Sequence, residues 1–585
     1  MTNLVVDHVS FEYVTGRHIA LRNITLEIPP GQVVLLAGPS GCGKTTLGYA
    51  MAGLLPERIA GRMKGAVYLG SERLTGMPLH EIAQHVGLVF QNPESQLFQY
   101  DVESEVAFGP ENLNLTHDEI VRRVEQSVTA TALKGFISQA TNTLSGGQRQ
   151  RVAIAATLAM QPAVLVLDEP TADLDPMGTQ EVLAVIRQLN HQYHMTVVLI
   201  EHKIDEVVGW VDRVILMDEG RVVLDAEPHR AFKEENIWTR LNVAVPQMVQ
   251  LSHALPDFFK GETALTVDEA EDVLSQYPSV IESLKQNAGP VASDRRYFGT
   301  PVIEWERVHL SYAGKSVLNG VSLEVYPEEW VALLGSNGSG KTSMAGMAMG
   351  FDAPWEGAVR LDGRLIRRGN IQAQAGQLGY LYQSPDMMLF SDTVEHELGF
   401  TELYGRYDPL RRVRSVDELA GFADLRHRLG NNPFQLSYGQ RQRLAIASLL
   451  ATNPKAVILD EPTTGQDEGH AQRVLDFLQR LQQTYGVALL MISHDMRAVA
   501  RYANRVAVLS PQGRIVLNGP PAEVFAQAEI LAQCHLTAPP VADLHNRLVG
   551  RPHSRVALSI HELLDILGKA CVGPAYFPAG GYPDA

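Results

Sequence analysis

Two stretches of this chain carry the glycine spacing that lets a backbone close around phosphate groups. They are Gly38-Pro-Ser-Gly-Cys-Gly-Lys44-Thr45-Thr46 and Gly335-Ser-Asn-Gly-Ser-Gly-Lys341-Thr342-Ser343. In such a loop Gly38, Ser40, Gly41 and Gly43, or Gly335, Asn337, Gly338 and Gly340, turn backbone N–H groups inward. The N-terminus of the following helix adds positive potential. Lys44 and Lys341 then reach the terminal phosphates, the hydroxyls of Thr45 and Thr342 ligate Mg²⁺, and Thr46 and Ser343 complete the cradle. Further along, Val164-Leu-Val-Leu167 delivers Asp168-Glu169, and Ala456-Val-Ile-Leu459 delivers Asp460-Glu461. In each pair the aspartate is expected to hold Mg²⁺ and the glutamate to polarise an attacking water. A positioned base of that kind contributes about 10²–10⁴-fold in rate.

The two sets keep one register. Gln91 and Gln383 lie 292 residues apart, as do Ser145 and Ser437, Asp168 and Asp460, and His202 and His494. The lysines are 297 apart, so the second copy is five residues shorter before its glutamine. A period this long excludes a solenoid and indicates a duplicated domain.

The elements that must position these residues are readable as well. Val33–Ala37 and Val331–Leu334 are short apolar runs leading into the phosphate loops. Val164–Leu167 and Thr196–Ile200 are apolar at every position, which predicts parallel strands buried on both faces. Leu4–Phe11 and Ile24–Ile28 alternate instead, which predicts antiparallel pairing. Short strands alternating with helical patterns indicate an α/β core in each copy. Residues 236–285 are helical in pattern, 286–294 have the Gly/Pro/Ser content of a linker, and a helical tail ends in a Gly/Pro-rich segment after 573. The expected division is a first domain at 1–235, a helical extension and linker at 236–300, a second domain at 301–525, and a helical extension with frayed tail at 526–585.

Composition narrows the classes. At 585 residues the chain exceeds one hydrophobic core. No run of 18 apolar residues is present, and the N-terminus lacks the pattern of a secretory signal. A net charge of −17 argues against a nucleic-acid-coating role, and the basic run Arg406–Arg414 reads as a solvated helical face. Cys42, Cys534 and Cys571 have neither paired nor metal-ligand spacing, which suits a reducing cytosol, and Cys42 reads as a space-filler in its loop.

One further motif is specific. Leu144-Ser145-Gly146-Gly147-Gln148-Arg149-Gln150-Arg151 and Leu436-Ser437-Tyr438-Gly439-Gln440-Arg441-Gln442-Arg443 stand shortly before the two Asp-Glu strands. With the phosphate loops, this motif makes both copies resemble the ATPase subunits of ABC transporters. The resemblance implies two tandem P-loop ABC-type nucleotide-binding domains, each with a mixed β-sheet core, a helical subdomain and a C-terminal helical extension. It also implies an intramolecular pseudo-dimer whose halves meet head to tail. One ATP would lie between Lys44 and the Ser437/Gly439 motif, the other between Lys341 and the Ser145/Gly147 motif. Tyr13 and Tyr312 fall where that family stacks an aromatic on adenine. Gln91 and Gln383 fall where a glutamine contacts Mg²⁺. Asp175 and Asp467 match the loop crossing the dimer, and His202 and His494 match the switch histidine that steadies the γ-phosphate. Tyr438 departs from the glycine of the first copy, which is read as asymmetry between the sites.

The segments after the glutamines narrow the resemblance. Val89-Phe-Gln91-Asn-Pro93-Glu94 and Tyr382-Gln383-Ser-Pro385-Asp386 are similar to the ATPases of energy-coupling factor (ECF) importers, which take up vitamins and transition-metal ions. There Glu94 and Asp386 would present acids to arginines of a transmembrane coupling protein, beside a substrate-binding membrane protein. The chain would sit peripherally on the cytoplasmic face of the membrane, with ATP and Mg²⁺ as cofactors and no nucleic acid. Two other readings stand beside it: a soluble tandem ABC protein acting on ribosomes or nucleic acid, and the ATPase of an exporter. The first is expected to carry a basic helical arm between its halves, and residues 236–300 are instead acidic at Glu262, Asp268, Glu269, Glu271 and Asp272.

The inequality of the two copies sets a first prediction. Glu169→Gln and Glu461→Gln each lower steady-state ATP turnover, by unequal factors. Equal losses in a phosphate-release assay would remove the functional asymmetry.

Overall fold

The computed structural model describes residues 2–14, 19–287, 299–312, 314–369, 371–374, 376–382, 384–404, 414–550 and 555–568. Gln383, most of the expected linker, nearly all of the basic run and the final Gly/Pro segment with Cys571 lie outside them. The described residues form two compact units: Met1–Ala270 with Gly465–Glu468, and Glu271–Thr464 with Gly469–Ala585.

In the first unit, the alternating segments form an antiparallel sheet in the order Ile19–Ile28, Leu4–Tyr13, Gly61–Leu69, Glu72–Arg73. The wholly apolar runs form a second sheet in the order Arg221–Ala226, Arg213–Asp218, Val33–Ala37, Thr196–Ile200, Val164–Asp168, Val86–Val89. Its strands are parallel except for the Arg221–Ala226 edge. Every residue of Val33–Ala37, Val164–Asp168 and Thr196–Ile200 is buried. Layers on both faces explain why these strands read as continuous apolar runs rather than as alternating ones. Parallel pairing also brings their C-terminal ends to one edge, where ligands bind in open α/β sheets.

The same two sheets recur in the second unit. The antiparallel one runs Lys315–Val325, Ile303–Tyr312, Glu356–Leu361, Arg364–Leu365. The larger one runs Leu378–Leu381, Ala456–Asp460, Ala488–Ile492, Trp330–Leu334, Arg505–Leu509, Ile515–Gly519. An α/β fold with two mixed-sheet domains is therefore observed, as the sequence predicts.

Between the glutamine segment and the Asp-Glu strand of the first unit, helices Val102–Asn112, His117–Ala130 and Gly146–Leu158 pack around Val106, Val124, Val128, Leu133 and Val152. Beyond the core, Pro228–Lys233, Glu235–Arg240 and Gln247–Ala254 continue the chain as short helices. Trp238 anchors them: it is fully buried, stacks on Phe232 at 4.4 Å, and donates from Nε1 to the Ala231 carbonyl at 2.9 Å. In the second unit, helix Pro278–Asn287 packs on Pro540–Val549 and Ile560–Leu567.

Emptying the Trp238 site removes the largest side chain holding the extension to the first core. Trp238→Ala is expected to destabilise that unit by about 3–5 kcal/mol. Urea unfolding followed by far-UV circular dichroism reads this as a lower transition midpoint; an unchanged midpoint would show that the extension is held elsewhere.

Candidate functional site

Each phosphate loop joins the centre of the larger sheet to a helix, Lys44–Met51 in the first unit and Lys341–Ala348 in the second. The turn is possible only without side chains. At Gly38, φ is +146° and a Cβ would stand 2.3 Å from the Met217 carbonyl oxygen; at Gly43, φ is +109° and a Cβ would meet the Ala20 carbonyl oxygen at 2.5 Å. Both lysines are buried. Lys44 Nζ donates to the carbonyls of Gly38 (2.7 Å) and Pro39 (3.0 Å), and Lys341 Nζ to those of Gly335 (2.7 Å) and Ser336 (3.0 Å). Each ammonium is thus folded over its own loop, where its charge faces the concave backbone. Cys42 is buried under the first loop, and burial pushes its thiol pKa up, which fits a space-filling role.

The structure gathers the first set of predicted residues closely. Thr45 Oγ1 donates to Asp168 Oδ1 at 3.1 Å, and the Tyr13 and Thr46 hydroxyls are 2.9 Å apart. Burial, reinforced by the neighbouring Glu169 charge, pushes the Asp168 carboxyl up to about 6. Glu169 receives Gln91 Nε2 at 2.8 Å on one oxygen and faces His202 Nε2 at 3.0 Å on the other. In the second unit, His494 Nε2 stands 3.2 Å from both Glu461 Oε1 and Asn337 Oδ1, and the His494 N–H donates to Glu461 Oε2 at 3.3 Å.

Both glutamates have left-handed backbones, with φ +47° at Glu169 and +51° at Glu461. Their N–H groups are nevertheless paired, with Ile200 O (2.9 Å) and Ile492 O (3.0 Å) of the adjacent strands. A non-glycine residue in that region is uncommon, and strain of order 1–3 kcal/mol persists only where the surroundings over-determine it. Here the adjacent strand holds the turn, and the carboxylate is swung out of the sheet toward the histidine.

Ser145 and Ser437 begin helices Gly146–Leu158 and Tyr438–Leu450 with the same reciprocal cap. The Ser145 hydroxyl accepts from Gln148 N–H at 3.3 Å while Gln148 Oε1 accepts from Ser145 N–H at 2.9 Å. The matching distances at Ser437 and Gln440 are 3.4 and 3.0 Å. Tyr438 therefore leaves the local backbone unchanged, and whatever it alters is in its side chain, which lies under the Arg441 guanidinium at 5.8 Å. Gly147 and Gly439 lie in the first turn behind each cap.

Glu94 and Asp386 sit on short 3₁₀ turns, each paired with an arginine of the Ser-capped helix in its own unit. Arg149 Nη2 is 3.3 Å from Glu94 Oε1, and Arg441 Nε is 2.6 Å from Asp386 Oδ1. Within the first unit, the Ser40 N–H donates to Asp467 Oδ2 at 2.8 Å. Asp175 caps helix Pro176–Tyr193 by accepting from Gly178 N–H at 2.8 Å.

Sequence reading missed three features. Glu201, buried beside His202, accepts from the Thr171 hydroxyl (2.6 Å) and amide (3.1 Å) and from the His202 amide (3.1 Å); burial raises its pKa. Ser493 holds the corresponding place in the second copy, where it accepts from Asp495 N–H. Tyr312 donates to Asp352, a contact the first copy cannot make because Leu55 stands at the matching position. Asp460 takes its hydrogen bond from Tyr380 Oη (2.7 Å), with none from Thr342 among the described residues. The 292-residue register would have found two of these, by asking where the copies differ rather than where they agree.

The loop geometry yields a prediction that needs no chemistry. Gly38→Ala is expected to abolish binding at the first loop while leaving the second loop able to bind. Titration with a fluorescent ATP analogue should fall to about half the wild-type stoichiometry, and retention of full stoichiometry would count against a loop closed to a Cβ.

Comparison with known proteins agrees with the duplicated geometry. A family model described as ABC transporter matches residues 21–172 and 318–464. A putative ABC transporter ATP-binding protein of Methanosarcina acetivorans is 39% identical over 583 residues, covering 97% of this chain and 94% of that protein. The putative HMP/thiamine import ATP-binding protein YkoD of Bacillus subtilis is 31% identical over 540 residues, covering 92% and 95%. Among solved structures, cbiO1 from Clostridium perfringens, part of the ABC transporter complex cbiONQ, is 34% identical. It covers 41% of this chain and 94% of that one, with a TM-score of 0.37. A phosphate loop, an Asp-Glu strand and a Ser-capped helix in each half, together with relatives spanning almost the entire length, place this chain in the family of ABC transporter ATP-binding proteins, with the ATP-binding domain present twice.

Proposed function

We propose that the chain is the ATP-hydrolysing subunit of an ECF-type importer of a vitamin or transition-metal ion, and that it drives membrane-embedded partners. The observation that carries this reading is the pairing of Glu94 with Arg149 and of Asp386 with Arg441. It presents in each half an acid on a surface turn, tied to the helix that opens at the signature serine. Such a link gives a membrane partner a handle on the nucleotide side. The import role named for the Bacillus subtilis relative adds support. No helix among the described residues is long and apolar enough to cross a membrane.

In this reading ATP lies on each loop against Lys44 or Lys341, with Tyr13 or Tyr312 toward the adenine. The opposite half contributes Ser437 and Gly439, or Ser145 and Gly147. Glu169 and Glu461 take a proton from the attacking water, and His202 and His494 orient them and the γ-phosphate.

The donors fit Mg²⁺. Thr45 Oγ1 and Asp168 Oδ1, 3.1 Å apart, with the side-chain oxygen of Gln91, are hard oxygen ligands. Thr342, Asp460 and Gln383 would be their counterparts in the second half. No group of three His, Cys, Asp or Glu side chains that could hold a metal occurs among the described residues. When bound, Mg²⁺ would neutralise charge developing on the phosphates.

Affinity purification of the chain from detergent-solubilised membranes is expected to recover integral membrane proteins. The charge-reversed double variant Glu94→Lys/Asp386→Lys should lose them while still binding ATP. Recovery of ribosomes without any membrane protein would overturn the reading.

A further inference from the structure

The two Asp-Glu strands lie in the same register against their neighbours but meet different side chains. In the first unit, Leu88 pairs with Val166 across parallel strands, and Asp168 lies two residues further along the same face. In the second, Tyr380 pairs with Ile458, and Asp460 lies two residues along. Diagonal neighbours of this kind are separated by about 7–8 Å, within reach of an aromatic side chain but not of an aliphatic one. Tyr380 spans the gap: its hydroxyl donates to Asp460 Oδ2 at 2.7 Å. The ring is almost fully buried, with Tyr382 at 4.8 Å and Phe351 at 6.4 Å between centroids, so its position is set by packing. Leu88 has no polar atom to offer, and Asp168 takes its bond from Thr45 of the phosphate loop instead.

We propose that Tyr380 is a positioning residue of the second half-site, fixing the Asp460 carboxylate so that its remaining oxygen faces the divalent cation that accompanies ATP. The inference rests on the reading of Asp460 as a cation-holding residue. A carboxylate offers about four acceptor sites on its two oxygens, so a hydroxyl on Oδ2 does not exclude a cation or its water on Oδ1. The hydroxyl also supplies a donor to a half-buried carboxylate, and hydrogen bonds to charged groups are the stronger kind. In the first half the loop threonine is engaged with the aspartate; in the second, Tyr380 does that work and leaves Thr342 free of it. The two half-sites would then gather their cation from differently prepared donors, although their motifs match.

The test uses the full chain in a Lys44→Ala background, where the Lys341 loop is the one competent to hold nucleotide, with Mn²⁺ titrated in the presence of ATP and followed by electron paramagnetic resonance. Tyr380→Phe keeps the ring and its packing and is expected to raise the half-saturating Mn²⁺ concentration about tenfold. Asp460→Asn should raise it too, and adding Tyr380→Phe to Asp460→Asn should have no further effect, because the hydroxyl acts through that carboxylate. A merely structural role would instead leave Mn²⁺ affinity unmoved in the Tyr380→Phe single variant. If Asp460→Asn shifts the titration and Tyr380→Phe does not, the inference about Tyr380 fails alone. If Asp460→Asn leaves it unchanged, the reading of Asp460 fails and takes the inference with it.

Discussion

Everything in each half is arranged around a loop whose first and last glycines have no room for a Cβ. Gly38 and Gly43 lie against backbone carbonyls, and the loop can stay that tight because it hangs from a strand buried on both faces. Strand Val33–Ala37 is flanked in parallel by Thr196–Ile200 and Arg213–Asp218, so its C-terminal end is fixed from both sides. Parallel pairing then decides the rest. The Asp-Glu pair and His202 both leave the sheet at that same edge, from residues 168–169 and 202, although more than a hundred residues separate them from the loop.

The turn at each glutamate shows how firmly that edge is set. A left-handed backbone at Glu169 or Glu461 would relax if the chain were free, but in each case the amide is held by a carbonyl of the next strand. Regular β geometry would send the side chain along the sheet face; the reversal sends it over the edge, to within hydrogen-bond reach of the histidine. The strain is local and the support for it is global, which is the usual signature of a functional rather than an architectural residue.

Much of this was legible in the residues themselves. Continuous apolar runs gave the central strands, because burial on both faces leaves no polar position to alternate with. The phosphate loops, the Asp-Glu pairs and the Ser-Gly helix starts were readable because each demands particular side chains at fixed spacing. Contacts across the sheet were not. Nothing local marks Tyr380 as the partner of Asp460, since the contact exists only once two strands 80 residues apart are paired in register. Glu201 is unmarked in the sequence for a related reason: it is buried and satisfied by Thr171, thirty residues earlier, a contact no local pattern announces. Tyr438 stands out in the sequence against the glycine of the first copy, while the serine cap it follows is the same in both copies.

The arginines beside Glu94 and Asp386 have a thermodynamic consequence. A cation that engages either acid from outside shares the carboxylate with Arg149 or Arg441 or displaces it, and where it displaces it, docking exchanges one ion pair for another instead of creating one. Exposed pairs contribute only about 0–1 kcal/mol, and an exchange between two of them nets still less. Affinity would therefore have to come from other contacts, while the exchange itself frees an arginine on the very helix whose first turn carries the signature serine. By linkage, if nucleotide binding changes the affinity of a partner docked there, docking changes nucleotide affinity by the same factor.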